Sequence, residues 1–249
     1  MHITQTFYDN LAPQYDKLFM DWQATTREQA ALLDKLFTAN GFVRSAHILD
    51  CACGIGTQAI GLARLGYDVT ASDISDGALA EAKKRAADVN ICFENADFRV
   101  LSDTFQEPFE IVIAMDNALP HMLSAEDLAE AVGSIVGQLK DGGIFVGSIR
   151  DYDALLETKP PYSPPSIHKT QDGQRVSFQT WNWEGDHYRL IQYIIDDGET
   201  CAVSKFACEY RATRREELTT LFVNCGCKEV TWLFPEDSGF YQPIIVAKK

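Results

Sequence analysis

Asp50, Gly54, Gly56 and Asp73 have the types and spacing of a ligand cradle. The apolar pair Ile48-Leu49 runs into Asp50, and a turn built on Gly54 and Gly56 follows. An apolar-periodic segment (Ile60, Leu62, Ala63, Leu65) then leads to a second short strand, Tyr67 to Ala71, just before Asp73. Glycine at the turn positions permits positive φ and lets backbone N–H groups approach a ligand closely. Asp73 lies 19 residues after Gly54, near the spacing of a carboxylate that accepts from ribose hydroxyls. The stretch reads as a βαβ unit holding an adenosine-containing cofactor.

Two cofactors compete for that unit. Gly54-x-Gly56-x-x-Ala59 satisfies the dinucleotide fingerprint, which keeps NAD and a dehydrogenase in play. Against NAD stands Asp50, because a carboxylate at the strand tip repels a pyrophosphate by several kcal/mol in a low-dielectric turn. S-adenosylmethionine has no phosphate, and its sulfonium and ammonium both favour an adjacent anion. Asp50 thus favours the methyl donor.

The stretch Asp50-x-Ala52-x-Gly54-x-Gly56 resembles the first motif of class I S-adenosylmethionine-dependent methyltransferases. Ala52 stands where many members carry glycine, a feature shared with the glycine and sarcosine N-methyltransferases. The resemblance extends over nearly the whole chain and implies a cofactor site formed by Asp50, Cys51, Ala52, Gly54, Gly56, Asp73 and Ile74, continuing through Asp97, Phe98 and Met115. Asp97 is expected to accept from the adenine amino group while Phe98 packs the base. Arg27 matches the family arginine that pairs with the carboxylate of the methyl donor. Tyr15 and Trp22 are candidate lid aromatics, with core packing an equal alternative.

The acceptor side follows the same resemblance. Asp116-Asn117-Ala118-Leu119-Pro120-His121-Met122 corresponds to a Gly-Asn-Ser-x-x-His-Leu segment of the glycine-type enzymes. Asn117 matches the asparagine that contacts the amino-acid substrate, and Asp116 replaces a glycine. Ser148 to Asp153 resembles a His-Arg-Asn-Tyr-Asp segment whose arginine holds the substrate carboxylate. Arg150 is the expected anchor, since a guanidinium matches a carboxylate bidentately. An ion pair with Asp151 or Asp153 is its rival role. His121 is expected to make a structural hydrogen bond more readily than to act as a base. Methyl transfer from a sulfonium depends chiefly on alignment, which contributes on the order of 7–11 kcal/mol. An amine needs only to arrive deprotonated, whereas a phenol calls for a strong base or a metal. N-methylation of a small amine or amino acid therefore leads. O- or C-methylation, or a non-catalytic cofactor-binding sensor or subunit, are the alternatives.

These groups need an α/β scaffold, expected as a Rossmann-like, mostly parallel seven-stranded sheet with a C-terminal antiparallel hairpin and an inserted antiparallel meander. Residues 1–46 read as a helical cap, with Phe7, Tyr8, Leu11, Tyr15, Leu18 and Phe19 at helical spacing and a helix opened by the Thr25-Thr26-Arg27-Glu28 capping box. Residues 47–150 read as the cofactor core, with Phe109 to Met115 a doubly buried parallel strand and the helix begun at Ser124 running to Lys140. Residues 151–212 read as the insertion: a Pro-rich loop at 159–165, then three alternating strands. Residues 213–249 close the core with a helix capped at Thr213 and a hairpin.

Composition narrows the partners. A net charge of −14 opposes nucleic-acid binding, and no apolar run approaches the roughly 20 residues of a membrane span. Seven cysteines without a signal-like start fit a reducing cytoplasm. Cys51-x-Cys53 and Cys225-x-Cys227 are too closely spaced for structural zinc, so no metal is expected. A homo-oligomer stays open.

Overall fold

Strands with apolar side chains on both faces must lie inside a sheet covered on both sides. The computed structural model, which describes residues 3–249, shows this for β1 (His47–Asp50) and β4 (Phe109–Ala114). They are the paired inner strands of a seven-stranded sheet. β2 (Asp68–Asp73) and β3 (Cys92–Asn95) extend it parallel on one side. β5 (Leu139–Ser148) extends it parallel on the other. β11 (Ile244–Lys248) then pairs antiparallel with β5, and β10 (Glu229–Leu233) antiparallel with β11. The order β10-β11-β5-β4-β1-β2-β3 reverses direction between β1 and β4, where ligands bind in open α/β sheets.

Alternation along the strands divides the core. Ile48, Ile111, Ile113, Ile144 and Val146 face α2 (Trp22–Ala39) and α3 (Thr57–Arg64). Leu49, Val112 and Phe145 face α5 (Ala125–Gly137) and α7 (Arg215–Asn224). Each such buried side chain contributes about 1.5–3 kcal/mol. Phe145 stacks on Phe222 with ring centroids 4.7 Å apart.

A second, four-stranded antiparallel sheet is built from β6 (Ser166–Thr170), β7 (Gly173–Glu184), β8 (His187–Asp197) and β9 (Cys201–Arg211). Its inner face carries Trp181, Tyr188, Leu190, Cys208 and Tyr210 into the same core as Leu49 and Phe145. β6 and the short α6 (Tyr152–Thr158) had no clear sequence signal, because each is short and adjoins the prolines at 160–165, and β6 is mostly exposed. Other boundaries also move. α2 begins at Trp22, capped by the Asp21 carboxylate on Ala24 N–H rather than by the Thr25 box. α5 ends at Gly137, and Asp141-Gly142-Gly143 form an irregular stretch within β5 rather than a helix stop. α7 is preceded by Arg214, without a side-chain cap. Among the described residues no helix is long and apolar enough to cross a membrane.

Two elements cover the carboxyl edge of the main sheet: α1 (Ile3–Leu11) and the 3₁₀ segment Ala12–Leu18. Asp9 ties α1 to the start of α4 (Asp76–Arg85), accepting from Ser75 Oγ at 2.6 Å and Gly77 N–H at 2.9 Å. α2 and α3 approach closely through Gly61, where an added Cβ would lie 2.5 Å from the Thr26 carbonyl oxygen. Gly133, on the exposed side of α5, has open space instead. Gly61→Ala should therefore cost about 1–3 kcal/mol. Gly133→Ala should stabilise by roughly 0.5–1 kcal/mol. Denaturant midpoints at unchanged m-value measure both.

Candidate functional site

The turn after β1 cannot be made by ordinary residues. Gly54 and Gly56 have φ of 53° and 88°, and a Cβ on Gly56 would press to 2.8 Å from Ile60 Cδ1. The N–H of Gly54 donates to Asp73 Oδ2 at 2.8 Å, and Ser75 N–H donates to Asp73 Oδ1 at 2.9 Å. The tip of β2 and the glycine turn thus fix each other. They bound a cavity of about 760 Å³ together with the segments after β3 and β4. Tyr8 and Tyr15 cover it from the N-terminal segment.

Cys51, Ala52, Gly54, Asp73, Ile74, Asp97, Phe98 and Met115 line that cavity, along with Tyr15, Asp116 and His121. Five expectations need correction. Asp50 is fully buried behind the cavity wall and is not one of its lining residues. Arg27 sits on the exposed face of α2, because the helix begins before it and turns Gln29 inward instead. Trp22 is buried beneath the site, its Nε1 donating to Thr57 Oγ1 at 3.0 Å and Arg85 lying 4.9 Å over its ring. It packs the core and is no lid. Gly56 shapes the turn without lining the cavity. Asn117 is only 2% exposed and lines neither this cavity nor the next. Its Oδ1 accepts from Arg150 N–H at 3.0 Å and so positions Arg150, while its buried Nδ2 has no hydrogen-bond partner among the described residues.

Asp116 and Asn117 both adopt left-handed backbone, with φ of 55° and 72°. Asp and Asn are the side chains that tolerate this region best. The conformation is held by Ser148, whose Oγ accepts from Asp116 N–H at 2.8 Å and whose carbonyl accepts from Asn117 N–H at 3.0 Å. The Asp116 carboxylate accepts from Gln58 Nε2 at 2.8 Å and from the Tyr241 hydroxyl at 2.8 Å. Gln58 also donates to Gln29 at 2.6 Å. These two glutamines and Tyr241 were not picked out from sequence. A polar Gln58 amid the buried face of α3 was the available signal, since buried amides must be paired.

Asp116, Tyr8 and Tyr15 also border a second cleft of about 1050 Å³ between the N-terminal segment, the main sheet and the four-stranded sheet. Arg150 lies in it. The guanidinium donates to the Tyr188 hydroxyl at 2.5 Å and to Gln179 Oε1 at 3.1 Å. Trp181 and Tyr210 rings lie 5.2 Å from it. Asp151 and Asp153 are instead engaged by Arg214 and Arg215. Among the described residues Arg150 therefore has no carboxylate partner, and most of its five N–H donors are left to the cleft. His121 is 4% exposed, bonded to the Tyr8 hydroxyl at 2.9 Å and packed 4.1 Å from the Tyr210 ring. It is part of the wall.

The electrostatics of the first cavity are anionic. Burial pushes the Asp50 carboxyl up to about 8, reinforced by the charges of Asp73 and Asp116 and moderated by the Ala52 N–H. Asp50 is fully buried, and its Oδ2 has no hydrogen-bond partner. Burial likewise raises Asp73 and Asp116, against the hydrogen bonds that each accepts. None of the three forms an ion pair with a described residue. Such a cluster suits a cationic ligand and penalises a pyrophosphate.

Known proteins resemble this chain in sequence and in fold. Residues 48–143 match the family model described as a methyltransferase domain. A glycine/sarcosine N-methyltransferase from Parasynechococcus marenigrum is 30% identical over 158 residues, covering 63% of this chain and 55% of the relative. Another, from Aphanothece halophytica, is 26% identical over 199 residues, covering 79% of this chain and 68% of the relative. The chain thus spans between about half and two thirds of those two relatives' lengths. An amino pentose methyltransferase from Micromonospora echinaspora, solved with S-adenosylmethionine bound, shares the fold with a TM-score of 0.73 at 16% identity, covering 90% of this chain and 91% of that one.

Asp50 makes a linkage that can be measured without ligand. The folded chain keeps its proton up to about pH 8, whereas the unfolded chain releases it near 4. The folded state binds the extra proton, so this group's contribution makes stability fall as pH rises through that window and level off above it. Asp50→Asn should raise the thermal midpoint of the ligand-free protein most at about pH 8 and above, with the two proteins converging toward pH 4.

Proposed function

We propose that this chain, a class I S-adenosylmethionine-dependent methyltransferase by its matched domain, its relatives and its fold, methylates the amine of a small carboxylate-bearing molecule. The observation that carries the acceptor is Arg150, a half-buried guanidinium facing a cleft without a carboxylate of its own. A charge so placed is stabilised by an incoming anion, and a planar fork of N–H donors suits a carboxylate. The glycine/sarcosine N-methyltransferases among the relatives support the same class of acceptor.

The cavity fits the cofactor on its own chemistry. Asp73 presents acceptors to ribose hydroxyls, Phe98 packs the base, and Asp97 offers a carboxylate nearby while bridging to Arg99 at 2.6 Å. Gln29 is turned inward from α2 in place of Arg27 and lines the second cleft, while Gln58 spends its amide on Gln29 and Asp116. The buried carboxylates complement the cofactor's positive groups. When bound, S-adenosylmethionine supplies an electrophilic methyl group on sulfur.

The remaining work is positioning. Asp116 is the carboxylate common to both cavities, and it accepts from the amine N–H so that the nitrogen lone pair is directed toward the cofactor side. Tyr8 and Tyr15 narrow the passage between the cavities and keep water from it. Arg150 holds the far end of the acceptor, with its own backbone held by Asn117. Alignment of this kind, worth on the order of 7–11 kcal/mol, can supply much of the rate without a general acid.

Incubation with S-adenosylmethionine and a panel of amino acids, followed by mass spectrometry for N-methyl products, tests the assignment. Arg150→Ala should raise KM for a carboxylate-bearing acceptor about ten- to a hundredfold, the loss of a charged hydrogen-bonded contact of about 1.5–3 kcal/mol. Cofactor affinity should stay the same, and Arg150→Lys should restore only part of the loss. An unchanged KM would remove Arg150 from the acceptor site.

A further inference from the structure

Resting on that reading, we propose that the acceptor is an amino acid with an extended apolar side chain, not glycine or sarcosine. The second cleft is roomier than the cofactor cavity, and a molecule as small as glycine would leave most of it unfilled. Its walls are of two kinds. Arg150 and Asp116 offer one cation and one anion, and beyond them Leu11, Leu18, Phe19 and Leu190 form an apolar lining.

The polar side chains between these regions are already committed. Gln179 accepts from Arg150 and from Trp181 Nε1, and donates to Gln192 at 2.9 Å. Gln192 spends its amide on the carbonyls of Phe178 and Tyr193. Gln242 accepts from Ser148, and Tyr241 donates to Asp116. An acceptor studded with hydroxyls, such as an amino sugar, would find few partners here and would lose its hydration on entry. A zwitterion suits the two charges, and an apolar side chain removes the partly exposed Leu18 and Phe19 from water. Glycine would satisfy the charges while leaving that wall wet.

The test is a calorimetric titration of the protein saturated with S-adenosylhomocysteine, using glycine, sarcosine, leucine, phenylalanine and leucinamide, paired with initial rates with S-adenosylmethionine. Leucine or phenylalanine should bind and react at least about tenfold better than glycine, and leucinamide should bind more weakly than leucine. Leu18→Gln should narrow the leucine-to-glycine ratio of kcat/KM by about tenfold. Glycine or sarcosine matching the apolar acids would overturn this inference while leaving amino-acid methylation standing. Failure of every amino acid, with the nucleoside still bound, would overturn both. If Leu18→Gln does not fold, the wild-type ratios alone decide the matter.

Discussion

Asp73 and Asp116 line a single cavity with Asp50 fully buried behind its wall, and none of the three has a lysine or arginine within ion-pair distance among the described residues. Burial raises the proton affinity of all three, and for Asp50 the charges of Asp73 and Asp116 add to it. The neighbouring structure serves this arrangement. The glycine turn donates Gly54 N–H to Asp73, Gln58 and Tyr241 hold Asp116, and the left-handed pair Asp116-Asn117 is locked by Ser148. A ligand bearing positive charge relieves the repulsion that these bonds only moderate.

The acceptor side is the electrostatic complement. Arg150 is a cation without an anion, fixed by Tyr188 and Gln179 and flanked by the rings of Trp181 and Tyr210. Those four partners come from the four-stranded sheet, while Asn117 comes from the main sheet. The second sheet therefore adds a second cleft beside the first cavity. Asp116 and Arg150 both line it and place one anion and one cation there, the pair on which the proposed amino-acid acceptor rests.

The cradle was legible because its residues are close in sequence and their types are forced by backbone geometry. Only glycine suits the turn at Gly56, and Asp73 falls at the tip of the next strand whatever the rest of the fold does. The parallel sheet and closing hairpin followed from continuous apolar runs such as Phe109 to Met115. Residues whose roles depend on distant partners were harder to read. Arg27 was misjudged because a start of α2 at Trp22, set by Asp21, rotates the helix and brings Gln29 inward. The Asn117 carbonyl oxygen holds the Arg150 backbone, 33 residues away, a pairing that no local motif announces. Gln58, Gln179 and Tyr241 carry no motif, and only the tertiary contacts reveal their function.

The most direct measurement is calorimetric binding of S-adenosylmethionine at about pH 7.5 in buffers of different ionisation enthalpy, which counts protons exchanged on binding. A sulfonium beside the buried carboxylates should return Asp50 toward its ordinary range and release up to about one proton, with S-adenosylhomocysteine releasing fewer and binding more weakly. Equal proton counts for the two ligands, or tighter binding of NADH than of either, would contradict an anionic cluster built to hold a cation.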